Sequence, residues 1–347
     1  MRARTSVHDV PLTDPLRPAG GSPVLRPLIR VVLEAGDGCV GHGEAAPLEA
    51  YDGIGVDRVL RALATHTSIL ATNECPEMEM RAACAKADPL PQAVAAVDMA
   101  LWDLAGRRAG KPVADLLGAA DAPSVAVNAT IGAVAPRSAA EEARTSAEAG
   151  IGCIKVKVGT PDDRQRLQAV RDAVGPDTLI RVDANGAWDQ LTAPERIRAL
   201  SRFDIELFEE PVHGVVAIQA VARAVPEIAL ATDESASAIL GTDARRLCAA
   251  VCLKISASGG ITGLLAEATR ARELGYEVYI ASTLDGPLGI AAALHAAAVV
   301  RPDRHCGLAT LGRFGRAAPA LLEPQDGLMA VPAGPGLGDE LVGWYGE

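Results

Sequence analysis

The chain has 347 residues, of which 49% are hydrophobic and 22% are charged, and its formal net charge is −11. This composition supplies a large core and excludes a disordered chain, while the acidic balance argues against a nucleic-acid partner, which needs a basic face. No apolar run reaches the roughly 18 residues of a membrane span. Because the N-terminus lacks the basic-then-apolar order of a signal peptide and the cysteines form no CxxC pair, we expect a cytoplasmic protein.

Residues 1–120 predict an α+β unit. Two strands are expected at 2–10 and 28–34, separated by a loop rich in Pro and Gly at 16–23. The turn signal Gly36-Asp37-Gly38 leads to a short third strand at 39–44. Helical spacing of apolar residues then predicts three helices, at 56–71, 78–86 and 92–108.

Residues 121–320 alternate between short apolar runs and helical segments, which predicts an α/β fold with a (β/α)7–8 barrel of TIM type. Five of the runs close on ionisable residues, at 151–157, 178–183, 205–210, 228–234 and 251–254. Further strands are expected at 125–132, 277–282 and 306–310, with an Ala-rich helix at 288–300. The loop-like tail, 321–347, is expected to pack back on the first unit.

Asp183, Glu209 and Asp233 lie at the ends of three consecutive predicted strands. The C-terminal ends of barrel strands share one mouth, so the three carboxylates should meet there. Carboxylates held this close repel one another unless a cation lies between them, and oxygen ligands favour Mg²⁺, with Mn²⁺ as the alternative. Any one of the three, taken alone, is equally consistent with an ion pair to arginine or with a helix cap.

Lys155 and Lys157 are two residues apart on one strand and therefore project to the same face. Lys254 comes from a strand across the mouth, which places ammonium groups on opposite sides of a bound substrate. A lysine near a divalent cation and other ammonium groups has a lowered pKa and can act as a base. The alternative is that these lysines only pair with the carboxylates.

Other residues at the same end of the barrel are candidates for contact with substrate. Asn185 follows Asp183 and either shapes its loop or reaches the substrate, and Ser282 ends the seventh strand of the barrel. Asp285, just beyond, either orients a lysine or caps the next helix. Glu210 and Glu234 directly follow their neighbouring ligands, so they point elsewhere or reach the groups that surround the metal.

Five motifs occur in the order KVK (155–157), RVDANGAW (181–188), FEEPV (208–212), TDES (232–235) and LKIS (253–256). They resemble the muconate-lactonizing-enzyme subgroup of the enolase superfamily, within the mandelate racemase/muconate lactonizing enzyme family. GHGEAAP (41–47) and the segment 97–118 are similar to that family's capping domain and its junction with the barrel. The resemblance implies a homo-oligomer, dimer or octamer, that acts on a small carboxylate.

The resemblance also implies roles for individual residues. Asp183, Glu209 and Asp233 would bind Mg²⁺; Lys157 would be the acid/base on one face, Lys155 its partner near the substrate carboxylate, and Lys254 the group on the other face. Two capping loops would select the substrate, and they match residues 16–23 and the segment around 51–54, which makes Tyr51 a substrate-binding candidate.

The segments VNAT (127–130), RVDANGAWD (181–189) and CGLAT (306–310) are similar to o-succinylbenzoate synthases of menaquinone biosynthesis. This implies Mg²⁺-dependent removal of a proton alpha to a carboxylate, a metal-stabilised enediolate, and syn-dehydration. TLDGPLG (283–289) and PGLGDEL (335–341) instead resemble muconate cycloisomerases and racemases. A muconate cycloisomerase, an N-acylamino acid racemase or a dipeptide epimerase thus stays open, and a non-catalytic binding protein is the third hypothesis.

Overall fold

The chain begins with a three-stranded antiparallel sheet in the order β1 (Arg2–Pro11), β2 (Leu25–Glu34) and β3 (Val40–Ala45). In β2 the buried and less buried residues alternate over most of its length, as expected for a sheet with one covered face. The computed structural model describes residues 1–13, 25–72, 76–119 and 124–346. The loop predicted at 16–23 lies outside the described residues.

In its described part, the N-terminal unit is completed by five helices: α1 (Glu49–Asp52), α2 (Val56–Thr72), α3 (Glu77–Ala87), α4 (Pro91–Ala109) and α5 (Val113–Leu116). Helix α4 starts with proline in its first turn and ends at Gly110, whose left-handed φ of 63° closes the helix. Its backbone packs directly on β3, because a Cβ at Gly43 would collide with the Ala96 carbonyl. This close contact fixes the sheet against the helix.

The barrel sheet has seven parallel strands in the order β5 to β11. Its elements are, in chain order, β4 (Val125–Ala126), β5 (Ala129–Ile131), α6 (Pro136–Glu148), β6 (Cys153–Lys157), α7 (Asp163–Val174), β7 (Leu179–Asp183), α8 (Ala193–Ser201), β8 (Ile205–Glu209), α9 (Val215–Ala224), β9 (Leu230–Thr232), α10 (Ala236–Leu240), β10 (Ala250–Leu253), α11 (Gly260–Glu273), β11 (Glu277–Ile280) and α12 (Pro287–Val300). Parallel strands covered by helices give the expected α/β fold of TIM type.

Two predicted strands of the barrel differ from the structure. The strand expected at 125–132 is divided, because β4 pairs antiparallel with the tail strand β12 (Leu328–Met329) and only β5 joins the barrel sheet. The strand expected at 306–310 is reduced to single bridges, from Cys306 to Val127 and from Gly307 to Ala281. These bridges still connect the two ends of the curled sheet.

The tail also contacts the N-terminal unit. The Leu337 amide donates to Asp103 Oδ1 over 2.8 Å, and Arg107 donates to the Gly338 carbonyl over 3.0 Å. Short 3₁₀ helices occur at Leu311–Arg313, before the tail, at Ala320–Leu322, where it begins, and at Val342–Tyr345, near its end. We propose that the chain divides into a capping domain (1–120), a barrel domain (121–320) and a tail (321–347) that packs on the capping domain.

The hydrophobic core follows this layout. One large cluster lies between the barrel strands and the helices that cover them, and a smaller one lies between the N-terminal sheet and helices α2 to α4. A third, small cluster lies on the inner face of β8 to β11 and includes Leu207, Cys252 and Tyr279. Helix α12 is buried along almost its whole length, which explains its Ala-rich sequence, and His295 within it accepts a hydrogen bond from the Ala114 amide. None of the described helices has the length and apolar character of a membrane span.

Candidate active site

Three buried carboxylates meet at the C-terminal ends of neighbouring strands. Asp183 and Glu209 are the last residues of β7 and β8, and they are register partners. Asp233 directly follows β9. All three are nearly inaccessible to solvent, with relative exposures of 0%, 1% and 6%. The parallel register therefore brings together the carboxylates predicted from strand ends.

Three ammonium groups contact these carboxylates. Lys155 Nζ lies 2.9 Å from Asp183 Oδ2 and 2.7 Å from Glu209 Oε1. Lys157 Nζ lies 2.5 Å from Asp183 Oδ2, and Lys254 Nζ lies 2.7 Å from Asp233 Oδ2. Lysines from β6 and from the end of β10 thus approach the carboxylate group from two sides, with β7, β8 and β9 between them.

Burial and charge act in opposite directions on the pKa values of the acidic groups. Burial alone would raise the pKa of Asp183, but the ammonium groups of Lys155 and Lys157 outweigh it and the pKa is lowered. The pKa of Asp233 is lowered for the same reason, with Lys254 as its main partner. For Glu209, burial prevails and the pKa is raised. Asp183 and Asp233 are therefore the more strongly ionised pair.

The lysines show the reciprocal effect. Burial opposes the positive charge of Lys155, but the carboxylates of Asp183 and Glu209 outweigh burial and raise its pKa above the ordinary value. Asp233 does the same for Lys254. The sequence predicts a lowered lysine pKa, caused by a cation and by neighbouring ammonium groups. This prediction does not include the direct contacts between lysines and carboxylates, which dominate in the structure.

The donor set fits a hard divalent cation. Glu209 Oε2 is buried and, among the described residues, has no hydrogen-bond partner. A buried carboxylate oxygen with no partner is costly unless something positive lies against it. The ligating atoms of Glu209, Asp233 and Cys252 lie within 4.8 Å of one another. The thiol of Cys252 is a soft donor, whereas the carboxylate oxygens are hard donors, and it is these oxygens that suit Mg²⁺.

Tyr51 connects the N-terminal unit to this cluster. Its hydroxyl donates to Asp233 Oδ1 over 2.7 Å, and its ring centroid lies 4.2 Å from Lys254 Nζ. The residue was predicted to bind substrate, and the structure places it directly on a carboxylate and a lysine of the cluster. It therefore forms part of the cavity wall next to the charged groups.

A second layer of polar groups holds the first. Asn185, at a left-handed φ of 44°, accepts a hydrogen bond from Lys157 Nζ over 2.7 Å and donates to Glu234 Oε1 over 2.9 Å. Glu210 accepts hydrogen bonds from the Asp233 amide and from the Ser235 hydroxyl, at 2.9 and 2.5 Å. Burial and the neighbouring Asp233 raise the pKa of Glu234 to about 8. These contacts fix the loops that carry Asp183 and Asp233.

The charged groups open into a cavity of about 230 Å³. Its lining combines the lysines with neutral residues from the loops, and comprises Leu48, Ala50, Tyr51, Thr130, Lys155, Lys157, Asn185, His213, Asp233, Glu234, Lys254, Ala281, Ser282, Thr283, Leu284, Gly307 and Thr310. The candidate Ser282 is among them. Asp285 is not, since its carboxylate accepts hydrogen bonds from the Thr283 amide and hydroxyl at 2.9 and 3.1 Å.

Two ionisable residues of the cavity were not foreseen as lining it. Glu234 was assigned to the surroundings of a metal or to another direction, and His213 received no role. His213 Nδ1 lies 3.1 Å from Glu210 Oε1. Both residues lie just after the C-terminal end of a strand, β8 or β9, which is the position that could have identified them.

A further signal was present in the composition. The whole chain contains only five lysines, Lys86, Lys111, Lys155, Lys157 and Lys254, against 28 arginines in a total of 33 basic residues. Three of the five line this one cavity. Arginine stays protonated in proteins, whereas lysine can lose its proton when its surroundings favour the neutral form. The three lysines are therefore candidates for proton transfer, a role that arginines in their place could not take.

Comparison with known proteins agrees with this geometry. The family model for the mandelate racemase/muconate lactonizing enzyme N-terminal domain matches residues 2–118, and the model for the enolase C-terminal domain-like region matches residues 138–343. Muconate cycloisomerase 1 of Rhodococcus opacus is 30% identical over 97% of this chain and 94% of its own length. The o-succinylbenzoate synthase of Thermobifida fusca is 39% identical over 54% of this chain and 60% of its own.

Solved structures show the same architecture. The dipeptide epimerase of Enterococcus faecalis V583, complexed with Mg and the dipeptide L-Leu-L-Tyr, superposes with a TM-score of 0.88 at 27% identity, covering 97% of this chain and 98% of that one. The dipeptide epimerase of Cytophaga hutchinsonii, complexed with Mg and D-Ala-L-Val, gives a TM-score of 0.87 at 26% identity, over 99% and 97% of the two chains. The chain belongs to the mandelate racemase/muconate lactonizing enzyme family and is an enzyme of the enolase superfamily, muconate-lactonizing-enzyme subgroup.

Proposed function

We propose that the protein is a lyase of the o-succinylbenzoate synthase type, which removes a proton alpha to a carboxylate and then eliminates water. The observation that carries the proton chemistry is the pair Lys157 and Lys254, which enter one cavity from strands on opposite sides of the carboxylate cluster. The choice of lyase is supported by the two o-succinylbenzoate synthases, 39% and 36% identical over 54% and 60% of this chain.

In this proposal Asp183, Glu209 and Asp233 hold Mg²⁺, with Mn²⁺ as a substitute. Their oxygens are hard donors on adjacent strands, and the buried Glu209 Oε2 has no hydrogen-bond partner among the described residues. A bound divalent cation would stabilise the negative charge that develops on the substrate carboxylate when the neighbouring carbon loses its proton. Lys155, which contacts two of these carboxylates, would bind the carboxylate of the substrate.

Lys157 in its neutral form takes the alpha proton, and the electrons of the C–H bond move into the carboxylate to give an enediolate. When these electrons return, the bond between the adjacent carbon and its hydroxyl breaks, and the new Lys157 ammonium supplies the proton with which that hydroxyl leaves as water. Acid and base are the same group, so removal of H and OH occurs on one face, a syn-dehydration. Lys254 on the other face keeps its proton and stabilises the enediolate by its charge.

The part of the cavity wall that follows β11 favours a substrate without an ammonium group. After β11 the lining residues are Ala281, Ser282, Thr283 and Leu284, none of which carries a charge. Asp285 is buried, and its oxygens accept hydrogen bonds from Thr283. A dipeptide ammonium would need a carboxylate at its binding position, since a desolvated charge without a partner is unfavourable.

A second candidate is a cycloisomerase acting on a muconate. It is favoured by the match to muconate cycloisomerase 1, which covers 97% of this chain at 30% identity. The same lysine pair also suits an N-acylamino acid racemase or dipeptide epimerase, because proton removal by one lysine and return by the other inverts the carbon. These reactions use the same site and differ in the substrate that the cavity admits.

Turnover tests decide between these candidates. The wild type would be incubated with Mg²⁺ and the cyclohexadiene carboxylate precursor of o-succinylbenzoate, cis,cis-muconate, N-acyl amino acids or dipeptides, in parallel with Lys157→Ala and Lys254→Ala. We expect turnover of the precursor, lost with EDTA and reduced at least about 100-fold in both variants, the size of a general acid–base contribution. Lys86→Ala and Lys111→Ala are matched controls, since both side chains are exposed, and they should retain activity.

Failure of the wild type to dehydrate the precursor would refute the synthase assignment. Turnover of muconate instead would establish the cycloisomerase. For the amino-acid substrates, deuterium entering the alpha position from solvent would identify a racemase or an epimerase. If Lys157→Ala and Lys254→Ala kept wild-type rates on whichever substrate reacts, the paired-lysine mechanism itself would be wrong.

A further inference from the structure

Arg26, on β2, is a fully buried arginine whose donors all reach carbonyl oxygens. Its Nε donates to the Leu284 carbonyl over 3.0 Å, and Nη2 donates to the carbonyls of Thr283 and Ala46 over 3.0 and 2.7 Å. Nη1 donates to the Pro47 carbonyl. One guanidinium thus joins the chain that follows β11 to the chain that follows β3.

Both joined segments form walls of the cavity. Thr283 and Leu284 line it from the barrel, and Leu48, next to the bound Pro47 carbonyl, lines it from the N-terminal unit. Leu284 has a left-handed φ of 60°, an unfavourable conformation for a leucine, so its surroundings must hold it there. The planar fork of a guanidinium holds several carbonyls in fixed directions, which an ammonium group cannot do.

The charge of Arg26 is balanced at a distance. The carboxylates of Asp285, Glu44 and Asp52 act on it favourably, while burial opposes its charge and lowers its pKa. Since the hydrogen bonds of the guanidinium go to backbone oxygens, its position depends on the path of the two segments, and their path depends on it. Removing it leaves several buried carbonyls without a donor.

We propose that Arg26 is a positioning residue that sets the affinity for substrate by holding Leu48, Thr283 and Leu284 in place as two facing walls of the cavity. It touches neither the carboxylate cluster nor the lysines, so it acts on substrate binding and leaves proton transfer unaffected. The walls it holds carry no charge, and they therefore receive the uncharged part of the substrate. This inference rests on the proposed function, because it assumes that the cavity binds the substrate.

The first test needs no substrate. Arg26→Lys keeps the charge and loses the fork, and Arg26→Gln keeps two donors and loses the charge. Amide hydrogen exchange in both variants should be faster than in the wild type at residues 46–50 and 281–286, and unchanged at the strands that carry the lysines. Mn²⁺ affinity should also be unchanged. Wild-type exchange at both segments would overturn the proposal.

Arg171 offers a matched control, because it also binds several carbonyls. Its donors reach the carbonyls of Phe203, Gly175, Thr178 and Asp204 at 3.1, 2.7, 2.7 and 2.9 Å, and none of these residues lines the cavity. Arg171→Lys should loosen the chain around those carbonyls and leave residues 46–50 and 281–286 as in the wild type. Loosening of the cavity segments by Arg171→Lys would show a global effect and would count against a specific role of Arg26.

The second test uses whichever substrate the wild type turns over. We expect KM to rise about tenfold in Arg26→Lys and further in Arg26→Gln, with kcat within about threefold of wild type, because misplaced walls weaken binding while the reacting groups stay in place. A fall in kcat at unchanged KM would overturn the proposal. Faster amide exchange at residues 46–50 and 281–286 in the Arg26 variants, combined with a wild type that turns over no substrate, would refute the proposed function and support the role of Arg26 in holding the two walls. If neither Arg26 variant folds at low temperature while Arg171→Lys does, Arg26 holds the whole fold, and the proposal is wrong.

Discussion

The Tyr51 hydroxyl donates a hydrogen bond of 2.7 Å to Asp233 Oδ1, so a side chain of the N-terminal unit contacts a carboxylate of the barrel. The same ring lies 4.2 Å from Lys254 Nζ, close enough for a cation–π contact. Tyr51 therefore joins the proposed metal site, the lysine opposite Lys157 and the substrate-facing wall. Groups that hold a metal ligand from outside contribute to metal affinity as well as to shape.

Tyr51→Phe should weaken metal binding without unfolding the protein. The phenyl ring keeps its contact with Lys254, but Asp233 loses one of its hydrogen-bond donors. We expect the Kd for Mn²⁺, measured by electron paramagnetic resonance, to rise about tenfold, the lower end of the effects seen for such partners. Tyr276→Phe is the control, since its hydroxyl donates to the Ala244 carbonyl at 2.8 Å, and neither residue lines the cavity. Equal Mn²⁺ affinity in wild type and Tyr51→Phe would show that the Tyr51 hydroxyl does not contribute to metal binding through Asp233.

Two glutamates of β8 should separate metal binding from stability. Glu209 is proposed as a ligand, and Glu206, three residues earlier, pairs with Arg181 and Arg304 at 3.2 and 2.7 Å. Glu209→Gln should weaken Mn²⁺ binding at least about 100-fold, since a ligand matters more than an outer-shell partner. Glu206→Gln should keep Mn²⁺ affinity and lower the free energy of unfolding by about 2 kcal/mol, because Arg181 is buried. Calorimetry measures the Mn²⁺ affinity, and urea unfolding measures the free energy of unfolding. If Glu209→Gln kept its Mn²⁺ affinity while Glu206→Gln lost it, Glu209 would not be a metal ligand.

The part of the site that the sequence predicts is the group of ionisable residues at the C-terminal ends of the strands. Each of the five apolar runs that closes on an ionisable residue overlaps a strand of the barrel, and parallel strands place those closing residues together. Local pattern is enough for this step, because the period of the apolar residues and the direction of the strands determine which end carries the groups. The roles of the individual side chains stay predictions until the variants are measured.

Long-range pairing accounts for most of what the sequence could not predict. The strand expected at 125–132 is divided because Val125 and Ala126 pair with β12, which lies some two hundred residues later in the chain. Patterns within a short window contain no information on such partners.

Gly43 tests the packing of the N-terminal unit. A Cβ at this position would collide with the Ala96 carbonyl and lie 2.8 Å from the Ala100 amide nitrogen, both backbone atoms of α4 that cannot rotate away. Gly43→Ala should therefore lower the free energy of unfolding by about 3 kcal/mol, the upper range for overpacking. Gly36→Ala, where a Cβ would meet nothing within 4 Å, should change it by less than about 0.5 kcal/mol. Similar unfolding free energies for the two variants, from urea titration, would contradict the close contact of β3 with α4.

Glu44 should make stability depend on pH. It is buried where β3 meets the barrel, accepts hydrogen bonds from the Gly286 amide at 2.8 Å and from the Tyr345 hydroxyl, and burial raises its pKa from 4.5 to about 7. The native state thus binds the Glu44 proton more tightly than the unfolded state, so this stabilisation is complete below pH 4.5 and is lost as the pH rises to about 7. The loss is at most about 3 kcal/mol for such a difference in pKa. Glu44→Gln has no proton to lose, so its free energy of unfolding, relative to wild type, should increase between pH 5 and about 8. A constant difference between the two proteins across that range, measured by urea unfolding, would show that Glu44 titrates normally.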